Sequence, residues 1–525
     1  MFDSFSLFSQ ESIKKIITYS SSKSCAIDPV PTNILKQIVD HIIEPITCIV
    51  NKCLSTGIFP SQWKSSVITP VIKKQNLDHT HENFRPVSNL TFLSKILEKT
   101  ALKSYIPHLE TNDSFSQRNS AYKKHHSTET LITKIHSNIM SSIDKDKLTL
   151  LVLLELSAAF DTVNQTTLIN IFSQQYNIRN NALSWIKSYL TNRTFRVSIN
   201  NSLSSPHDSP HGVPQGSCIG PVAFLTYISG LYDIIGNDMV TVEGYADDTQ
   251  LYISFNPSTV SAADAILSMN QCIKNIRNYF LKNQLLLNEN KTEVLVFGKH
   301  SQLSKIDQTS ISIGNQNIHF SDSAKYLGVI FDKFMSLDPY IKEVRKKSHL
   351  KIRCIRQIRP YLTQKATESL VHTLISSSLD YCNSILYNTP SYLIKKLQLV
   401  QNTAAKLITR SRKYDHVTPI FKELHWLPVK QRIKFKIALL TFKALNNLAP
   451  KYLSDLIQVY TPNRTLRSQD QHLLKIPHIE SNRGSKSFSH SAIWNSLPPT
   501  LRECTNIGNF KKLLKSHLFD EAFRV

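Results

Sequence analysis

Two adjacent aspartates, Asp247 and Asp248, are the residues of this sequence best suited to chemistry. They lie in GYADDTQLY, residues 244–252, between flanks whose β-branched and aromatic residues are typical of strands. We therefore expect the pair at the tip of a hairpin. Carboxylates this close cannot both stay ionised without a cation or a proton, which favours a divalent metal site. The alternative is a solvated Asp-Asp turn, the commoner fate of this dipeptide taken alone.

A third acid, Glu155, lies near the end of the almost entirely apolar run 147–156, a pattern typical of a strand buried on both faces. The following segment, 157–172, has helical spacing, so Glu155 is predicted where a strand ends and a helix begins. Carboxylates from two strands that meet can hold two divalent ions about 3.5–4 Å apart, as in phosphoryl transfer. Mg²⁺ suits such a site because it prefers oxygen ligands and keeps waters that phosphates displace.

Glycine is scarce, with 12 in the chain, yet Gly212, Gly216 and Gly220 fall in one loop that enters an apolar helix. Because glycine lets the backbone approach another group closely, we expect this loop to approach a ligand.

The elements that must position these side chains alternate between strand and helix patterns from about residue 54 to 330, which indicates an α+β core. Among them, 262–281 is predicted as a helix, and 291–297 and 325–331 are each predicted as a strand. Helical spacing of apolar residues dominates residues 1–60 and returns after 332. Arg85 falls in the polar stretch 75–89, which we expect to be a loop.

The formal net charge of +23 points to a polyanion partner. Residues 341–440 alone carry 20 Lys and Arg against 5 Asp and Glu, a difference of +15, on a helical pattern that could grip a nucleic-acid backbone. The alternative is that these cations form the solvated faces of helices. No apolar run could span a bilayer, no secretory signal opens the sequence, and the eight scattered cysteines lack zinc-site spacing. We expect an intracellular protein of the nucleus or cytoplasm that is not secreted.

Seven segments, in this order, carry a resemblance to the reverse transcriptases of non-LTR (LINE-type) retrotransposons over roughly residues 60–335. They are NFRPVSNL (83–90), SAYKKHHSTET (120–130), LLVLLELSAAFDTVN (150–164), HGVPQGSCIGPVAFLTYI (211–228), GYADDTQLY (244–252), NENKTEVLVFG (288–298) and KYLGVIFD (325–332). The segments SSLDYCNSILYN (377–388) and FKELHWLPVKQRI (421–433) resemble the region that follows the polymerase in these elements.

The resemblance implies an α+β, right-hand polymerase fold of fingers, palm and thumb. The divisions would be a helical N-terminal extension (1–53), fingers and palm (54–335), a basic helical thumb-like region (336–450) and a C-terminal tail of unknown role (451–525).

The resemblance also implies an RNA-directed DNA polymerase that uses two Mg²⁺ ions, with Mn²⁺ as a substitute. Asp247, Asp248 and Glu155 would bind the ions, and Lys291 would lie near the triphosphate as a positive charge or a proton donor. The partners would be an RNA template, a DNA primer and deoxynucleoside triphosphates, without a membrane. The oligomeric state stays open.

Four further residues take roles from the resemblance. Arg85 would pair with the triphosphate through its fork of donors, although a surface arginine is an equal alternative. Phe160 would be the steric gate that excludes a ribose 2′-hydroxyl, where its residue type alone indicates a core aromatic. Gln215 and Gly216 would line the incoming nucleotide.

The sequence departs from the family at Glu155, where the first metal-binding residue is usually aspartate. The added methylene displaces a carboxylate in a site where about 1 Å can cost on the order of 10²-fold in rate, so we expect a weakened or inactive polymerase. The second acid of that stretch, Asp161, is expected to cap the helix or face solvent. A catalytically inactive nucleic-acid-binding remnant is the alternative, and an RNA-dependent RNA polymerase is a third class. We also expect a fragment that lacks the endonuclease domain of complete elements.

Overall fold

The computed structural model describes the chain apart from residues 74–76, 81–82, 112–115, 201, 235–238, 315, 462–471, 482, 489–491 and 525. Within the described residues, no helix combines the length and the apolar character that crossing a membrane requires.

Three helices open the chain, as the spacing of apolar residues predicts: α1 (Gln10–Tyr19), α2 (Thr32–Gln37) and α3 (Val39–Thr56). The Ser9 side chain caps α1 by accepting a hydrogen bond from the backbone N–H of Ser12. Helix α3 ends at Gly57, whose φ of 71° lies in the left-handed region that glycine adopts readily.

The first sheet begins after these helices in the chain. Its strands are β1 (Ser65–Ile72), β2 (Phe84–Leu90), β5 (Thr194–Ile199), β6 (Ser202–Leu203) and β7 (His207–Asp208). Strand β1 pairs antiparallel with β2 and parallel with β5, and β5 pairs with both short strands. Arg85, expected in a loop, therefore lies in a strand, because β1 supplies a partner that the polar composition does not reveal. Residues 75, 76, 81 and 82 of that predicted loop lie outside the described residues.

The second sheet holds the acidic residues. It has four antiparallel strands in the order β11-β3-β9-β8, with the bounds β3 (Leu148–Leu154), β8 (Thr241–Tyr245), β9 (Asp248–Phe255) and β11 (Glu293–Phe297). Every residue of β3 is buried. Leu150 and Val152 belong to one hydrophobic cluster, and Leu151 and Leu153 to another. The strand is therefore covered on both faces, as its unbroken apolar run predicts.

Helices and short strands surround this sheet. The helices are α4 (Phe92–Thr111), α5 (Thr128–Asp144), α6 (Gln165–Gln174), α7 (Asn180–Leu190), α8 (Gly220–Tyr227), α9 (Ala262–Lys282) and α10 (His300–Leu303). The short strands form the antiparallel pairs β4 (Leu156–Ser157) with β10 (Leu286–Leu287), β12 (Ser310–Ile313) with β13 (Gln316–His319), and β14 (Ser323–Tyr326) with β15 (Val329–Asp332).

Two predicted elements have different bounds. The helix predicted over 157–172 begins only at Gln165, because Ala158 adopts a left-handed φ of 47° and starts a turn. Asn164, rather than Asp161, caps α6 by accepting from the backbone N–H of Thr167. Residues 325–331 form a hairpin rather than one strand, since Leu327 and Gly328 both have positive φ, as two-residue hairpin turns require.

After Asp332, helices are the main elements of the described residues. The helices are α11 (Asp338–Ile358), α12 (Gln364–Val371), α13 (Ser377–Asp380), α14 (Ser391–Thr409), α15 (Val417–Glu423), α16 (Val429–Leu445), α17 (Lys451–Ser454), α18 (Ala492–Asn495), α19 (Pro499–Arg502) and α20 (Ile507–Phe523). Phe442 of α16 stacks on Phe510 of α20 with ring centroids 4.2 Å apart. Trp494 and Leu514 are buried in the same cluster.

Candidate active site

The acidic turn, residues 244–248, joins β8 to β9 as predicted. Tyr245 pairs with Asp248, which leaves Ala246 and Asp247 as the two residues of the turn. Ala246 is buried and has a φ of 57°, a left-handed conformation that an alanine adopts only when its surroundings hold it there. The Asp-Asp pair thus lies on a constrained hairpin tip rather than on a free surface loop.

Both carboxylates of the acidic turn are partly buried, and both resist ionisation. Burial, together with the negative charges of Asp247 and Glu155, raises the pKa of Asp248 to about 7. Burial also raises the pKa of Asp247, against the opposing effect of the positive charges of Arg85 and Lys291. Three acids and two cations therefore share one electrostatic environment.

Glu155 lies across from Asp248. Leu154 pairs with Thr249 in the antiparallel register, so the next residues of the two chains face each other. Glu155 and Asp248 line one cleft of about 60 Å³ together with Lys291, Lys325 and Tyr326. The sequence-predicted residues Glu155, Asp248 and Lys291 are thus brought together.

Lys291 forms a direct ion pair with the Glu155 carboxylate. Its Nζ donates to Glu155 Oε1 at 2.5 Å, and both side chains are about half exposed, at 51% and 41%. Lys291 itself belongs to a short 3₁₀ turn, Glu289–Lys291, rather than to the strand predicted from 291 onward. Among the described residues, no three His, Cys, Asp or Glu side chains already stand close enough to hold an ion.

The donor chemistry of the site nevertheless fits a divalent cation. Asp247 and Asp248 present adjacent, partly buried carboxylates whose pKa values are raised first by burial and then by neighbouring acids, and a cation would offset both effects. All candidate ligands are carboxylate oxygens, the donors that Mg²⁺ prefers. Glu155 can join them only by exchanging its contact with Lys291 for one with the ion.

The glycine-rich loop packs against strand β2. Gly216 has a φ of 124°, and a Cβ built there would lie 2.4 Å from the carbonyl oxygen of Ser88. The Ser88 N–H donates to the carbonyl of Gln215 at 2.8 Å. The glycine-rich loop therefore approaches the backbone of β2 closely, and only glycine fits at position 216.

Phe160 and Gln215 lie on adjoining segments. The N–H of Val213 donates to the carbonyl of Phe160 at 2.9 Å, and Gln215 Nε2 donates to Asp161 Oδ2 at 2.6 Å. The Phe160 ring stacks on Phe224 of α8, with centroids 4.8 Å apart, and remains partly exposed. Phe160 is thus anchored to the core and still reaches the surface. Asp161 is exposed and holds Gln215 instead of capping a helix.

Arg85 is exposed on β2, opposite Val71 of β1. Its positive charge acts on Asp247, where it lowers the carboxyl pKa, so the guanidinium faces the same environment as the acidic turn. The structure thus associates Arg85 with the acids through charge rather than through a direct ion pair.

Glu98 is a residue whose importance the sequence did not reveal. It is fully buried in α4, where burial raises its carboxyl pKa. Its Oε2 accepts hydrogen bonds from the N–H groups of Cys218 and Ile219, at 2.6 and 3.2 Å, so it holds the end of the glycine-rich loop. Its position on the apolar face of α4, beside Leu97 and Ala101, was the available signal.

Comparison with known protein families gives a match for residues 72–331, to the family described as reverse transcriptase (RNA-dependent DNA polymerase). This range includes the acidic turn, the glycine-rich loop and both sheets, except that only the last residue of β1, Ile72, falls within it.

Three similar proteins extend the match beyond that domain. The probable RNA-directed DNA polymerase from transposon BS of Drosophila melanogaster is 25% identical over 81% of this chain and 47% of its own length. The RNA-directed DNA polymerase from mobile element jockey of the same species is 20% identical over 85% of this chain and 47% of its own. The retrovirus-related Pol polyprotein from type-1 retrotransposable element R1 of Bradysia coprophila is 21% identical over 77% and 40%. The chain spans less than half the length of these relatives.

Proposed function

Because residues 72–331 belong to the reverse transcriptase family, we propose that this chain is the RNA-directed DNA polymerase of a non-LTR retrotransposon, extending a primer 3′-hydroxyl on an RNA template. The observation that carries the proposal is the meeting of Glu155, Asp248 and Lys291 in one cleft beside the tip of the acidic turn. Carboxylates and a lysine in one cleft suit phosphoryl transfer, in which catalysis consists of positioning and charge stabilisation.

The proposed architecture is a right-hand polymerase. The four-stranded sheet with its acidic turn would be the palm, and the β1-β2-β5 sheet would belong to the fingers, within residues 54–335. The helices of 336–450 would form the thumb. The hairpin of β14 and β15 supports this assignment, since Lys325 and Tyr326 line the same cleft as Asp248 and could hold the primer end there.

Asp247 and Asp248, joined by Glu155, would hold two Mg²⁺ ions, which when bound lower the charge on the triphosphate and orient the attacking and leaving oxygens. Residues of the chain itself would contact the triphosphate. Lys291 would move from Glu155 to the triphosphate, where its ammonium stabilises negative charge or donates a proton. Arg85, exposed on β2, would contact the triphosphate as a fork of donors.

The nucleotide would lie along the glycine-rich loop. Gly216 has no side chain to obstruct a base pair, and Gln215 is held in place by Asp161. Phe160, fixed by its stack on Phe224, would block the space of a 2′-hydroxyl and select deoxyribonucleotides. An RNA-dependent RNA polymerase would need that space open.

The test is primer extension by the full chain on an RNA template with Mg²⁺ and deoxynucleotides. The double variant Asp247→Asn/Asp248→Asn is the matched control, since it removes two charges at nearly constant volume. We expect incorporation by the unaltered chain and a loss of at least about 10²-fold in the variant. Equal incorporation by the two proteins would exclude the assignment, and ribonucleotide incorporation with Phe160 intact would contradict the gate.

The second candidate is a nucleic-acid-binding remnant without useful catalysis. The ion pair between Lys291 and Glu155, whose side chain is one methylene longer than aspartate, favours this second candidate. The Glu155 carboxylate already has a cationic partner and is less available to a metal ion. Tight, salt-sensitive binding of primer–template without incorporation, in the same assay, would select this candidate over the first.

A further inference from the structure

On the basis of the polymerase function proposed above, we propose that Tyr452, in the short helix α17, is a positioning residue for the acidic turn. It would act through the 116–127 loop, whose residue Asn119 holds the turn from behind. Tyr452 lies about 200 residues from the acidic turn in sequence and outside the matched family range of 72–331.

Asn119 is bonded to the buried side of the acidic turn. Its Oδ1 accepts from the backbone N–H of Ala246 and its Nδ2 donates to the Ala246 carbonyl, both at 3.4 Å. The side chain is buried, with 4% exposure, and Nδ2 also donates to the Tyr232 hydroxyl at 3.1 Å. The Asn119 amide thus bonds both the N–H and the carbonyl of Ala246, the left-handed residue next to Asp247.

The backbone on either side of Asn119 adds to this hold. The N–H of Gly244 donates to the carbonyl of Arg118 at 2.7 Å, and the N–H of Ser120 donates to the carbonyl of Gly244 at 2.9 Å. Asn119 and Gly244 therefore form a parallel bridge at the free edge of β8. Gly244 permits this approach, since a Cβ there would lie 2.0 Å from the Tyr232 hydroxyl oxygen.

Tyr452 fixes the 116–127 loop on its other side. Its hydroxyl lies 3.2 Å from Ser120 Oγ and 2.9 Å from Thr130 Oγ1, so it links the loop to the first turn of α5. Thr130 and Ser127 form the capping box of that helix, which makes it a firm anchor. The Tyr452 ring also packs edge-on against His126, with centroids 5.6 Å apart.

A second contact joins Tyr452 to the strand that leads into the acidic turn. The ammonium of Lys134 lies 4.8 Å from the centre of the Tyr452 ring. The same ammonium pairs with Glu243, a buried carboxylate on β8 immediately before Gly244. The hydroxyl and the ring of Tyr452 therefore reach residues 243–246 by two separate routes.

Hydrogen exchange on the full chain, compared between Tyr452→Phe and the unaltered protein, tests the proposal without requiring catalysis. The variant keeps the ring over Lys134 and removes only the hydroxyl. We expect the amides of Gly244 and Ala246 to exchange about 3- to 10-fold faster, the effect of losing about one hydrogen bond that limits local opening. Tyr19→Phe, at a tyrosine with 87% exposure, is the control and should change nothing there.

Unchanged exchange at residues 244–246 would overturn the proposal, as would an equal increase throughout β3, because that pattern indicates general loosening. Should Tyr452→Phe fail to fold, Ser120→Ala removes the hydroxyl partner on the loop side while Thr130 still holds the tyrosine. We expect the same local increase from it, and no increase would again overturn the proposal.

Kinetics supply the functional readout. In primer extension, we expect Tyr452→Phe to lower kcat about 3- to 10-fold and to leave the KM for primer–template unchanged, since Tyr452 touches no proposed nucleic-acid contact. A rise in KM with kcat intact would overturn the positioning role. If the unaltered chain incorporates nothing, the proposed function fails, while the exchange comparison still decides the role of Tyr452.

Discussion

Glu155 has one more methylene than the aspartate expected at its position, and its carboxylate meets the ammonium of Lys291. Shortening this side chain should draw the carboxylate back toward Asp248 and release the lysine. We expect Glu155→Asp to raise the rate of Mg²⁺-dependent primer extension by between about 10- and 10²-fold. Single-turnover incorporation measures it, with Glu11→Asp on α1 as the matched control. Equal rates for the variant and the unaltered chain would contradict the argument.

Asp248 is expected to support catalysis at a cost in folding stability. Its raised pKa means that burial and two neighbouring carboxylates disfavour the charge it carries. In EDTA, we expect Asp248→Asn to raise the free energy of unfolding by about 1–3 kcal/mol while abolishing primer extension. Denaturant unfolding at neutral pH checks this, with the exposed Asp208→Asn as a control that should change the stability by less than about 0.5 kcal/mol. A destabilised Asp248→Asn protein would refute it.

The acidic turn was predictable from sequence because a hairpin and its strands are encoded within about a dozen residues. The contact of Lys291 with Glu155 was not, since the two residues are 136 positions apart and only the pairing of β11 with β3 brings them together. The role of Glu98 was hidden for the same reason: its partners, Cys218 and Ile219, come from another element.

Among the elements, the glycine-rich loop depends on one residue for its fit against β2. Alanine at position 216 would have to adopt a φ of 124° and place its Cβ 2.4 Å from a backbone oxygen that cannot rotate away. We expect Gly216→Ala to lower the free energy of unfolding by about 1–3 kcal/mol and to raise the KM for deoxynucleotides. Chemical denaturation and steady-state kinetics measure both. Gly508→Ala, on helix α20, is the control, and an unchanged KM in Gly216→Ala would remove this loop from the nucleotide site.

Helix α5 contains a titratable group on its buried face. Burial, together with the nearby charge of Lys486, lowers the pKa of His136 to about 3. The unfolded chain has a histidine pKa of about 6.5, so it binds a proton more readily than the folded chain between these values. The stability contributed by neutral His136 is therefore complete above about pH 6.5 and declines as the pH falls toward 3.

We expect the unaltered protein to lose about 2–3 kcal/mol more than His136→Leu between pH 6.5 and pH 4.5. Denaturant unfolding at the two pH values measures the difference. His41→Leu, at an exposed position on α3, serves as the control and should follow the unaltered protein. Parallel pH curves for the unaltered protein and His136→Leu would contradict the prediction.

Element types followed from local periodicity, and their bounds failed where tertiary structure intervened. The strand β3 and the helix α9 were predictable from runs of apolar residues at the right spacing. The late start of α6 was not, because Ala158 is left-handed and the turn that follows it, at Phe160 and Asp161, packs against Gly212 of the glycine-rich loop. Strand β2 was missed because its polar residues form a strand only when β1 and β5 complete the sheet.

At the scale of the whole molecule, the net charge of +23 should govern nucleic-acid binding. Arg345, Lys346 and Arg353 are exposed on α11, and we expect them to contact phosphates. Replacing all three with Gln should weaken duplex binding and reduce the slope of log affinity against log salt by about 2–3. Titration at several salt concentrations measures the slope. Replacing Lys15 and Lys52 on the N-terminal helices is the control, and a reduction of the slope by about 2 there, in proportion to the two charges removed, would show that only total charge matters.

The second sheet, β11-β3-β9-β8, is covered by late parts of the chain, which has a consequence for its synthesis on the ribosome. One face of β3 and β11, including Leu151, Leu153 and Leu295, belongs to a cluster completed by residues as late as Leu518. Emerging at roughly 5–20 residues per second, the chain would expose part of this face for about 10–40 s before its cover is made. The nascent chain should therefore bind chaperones, and a ribosome that stops before the last helices would release a protein whose second sheet has one exposed apolar face.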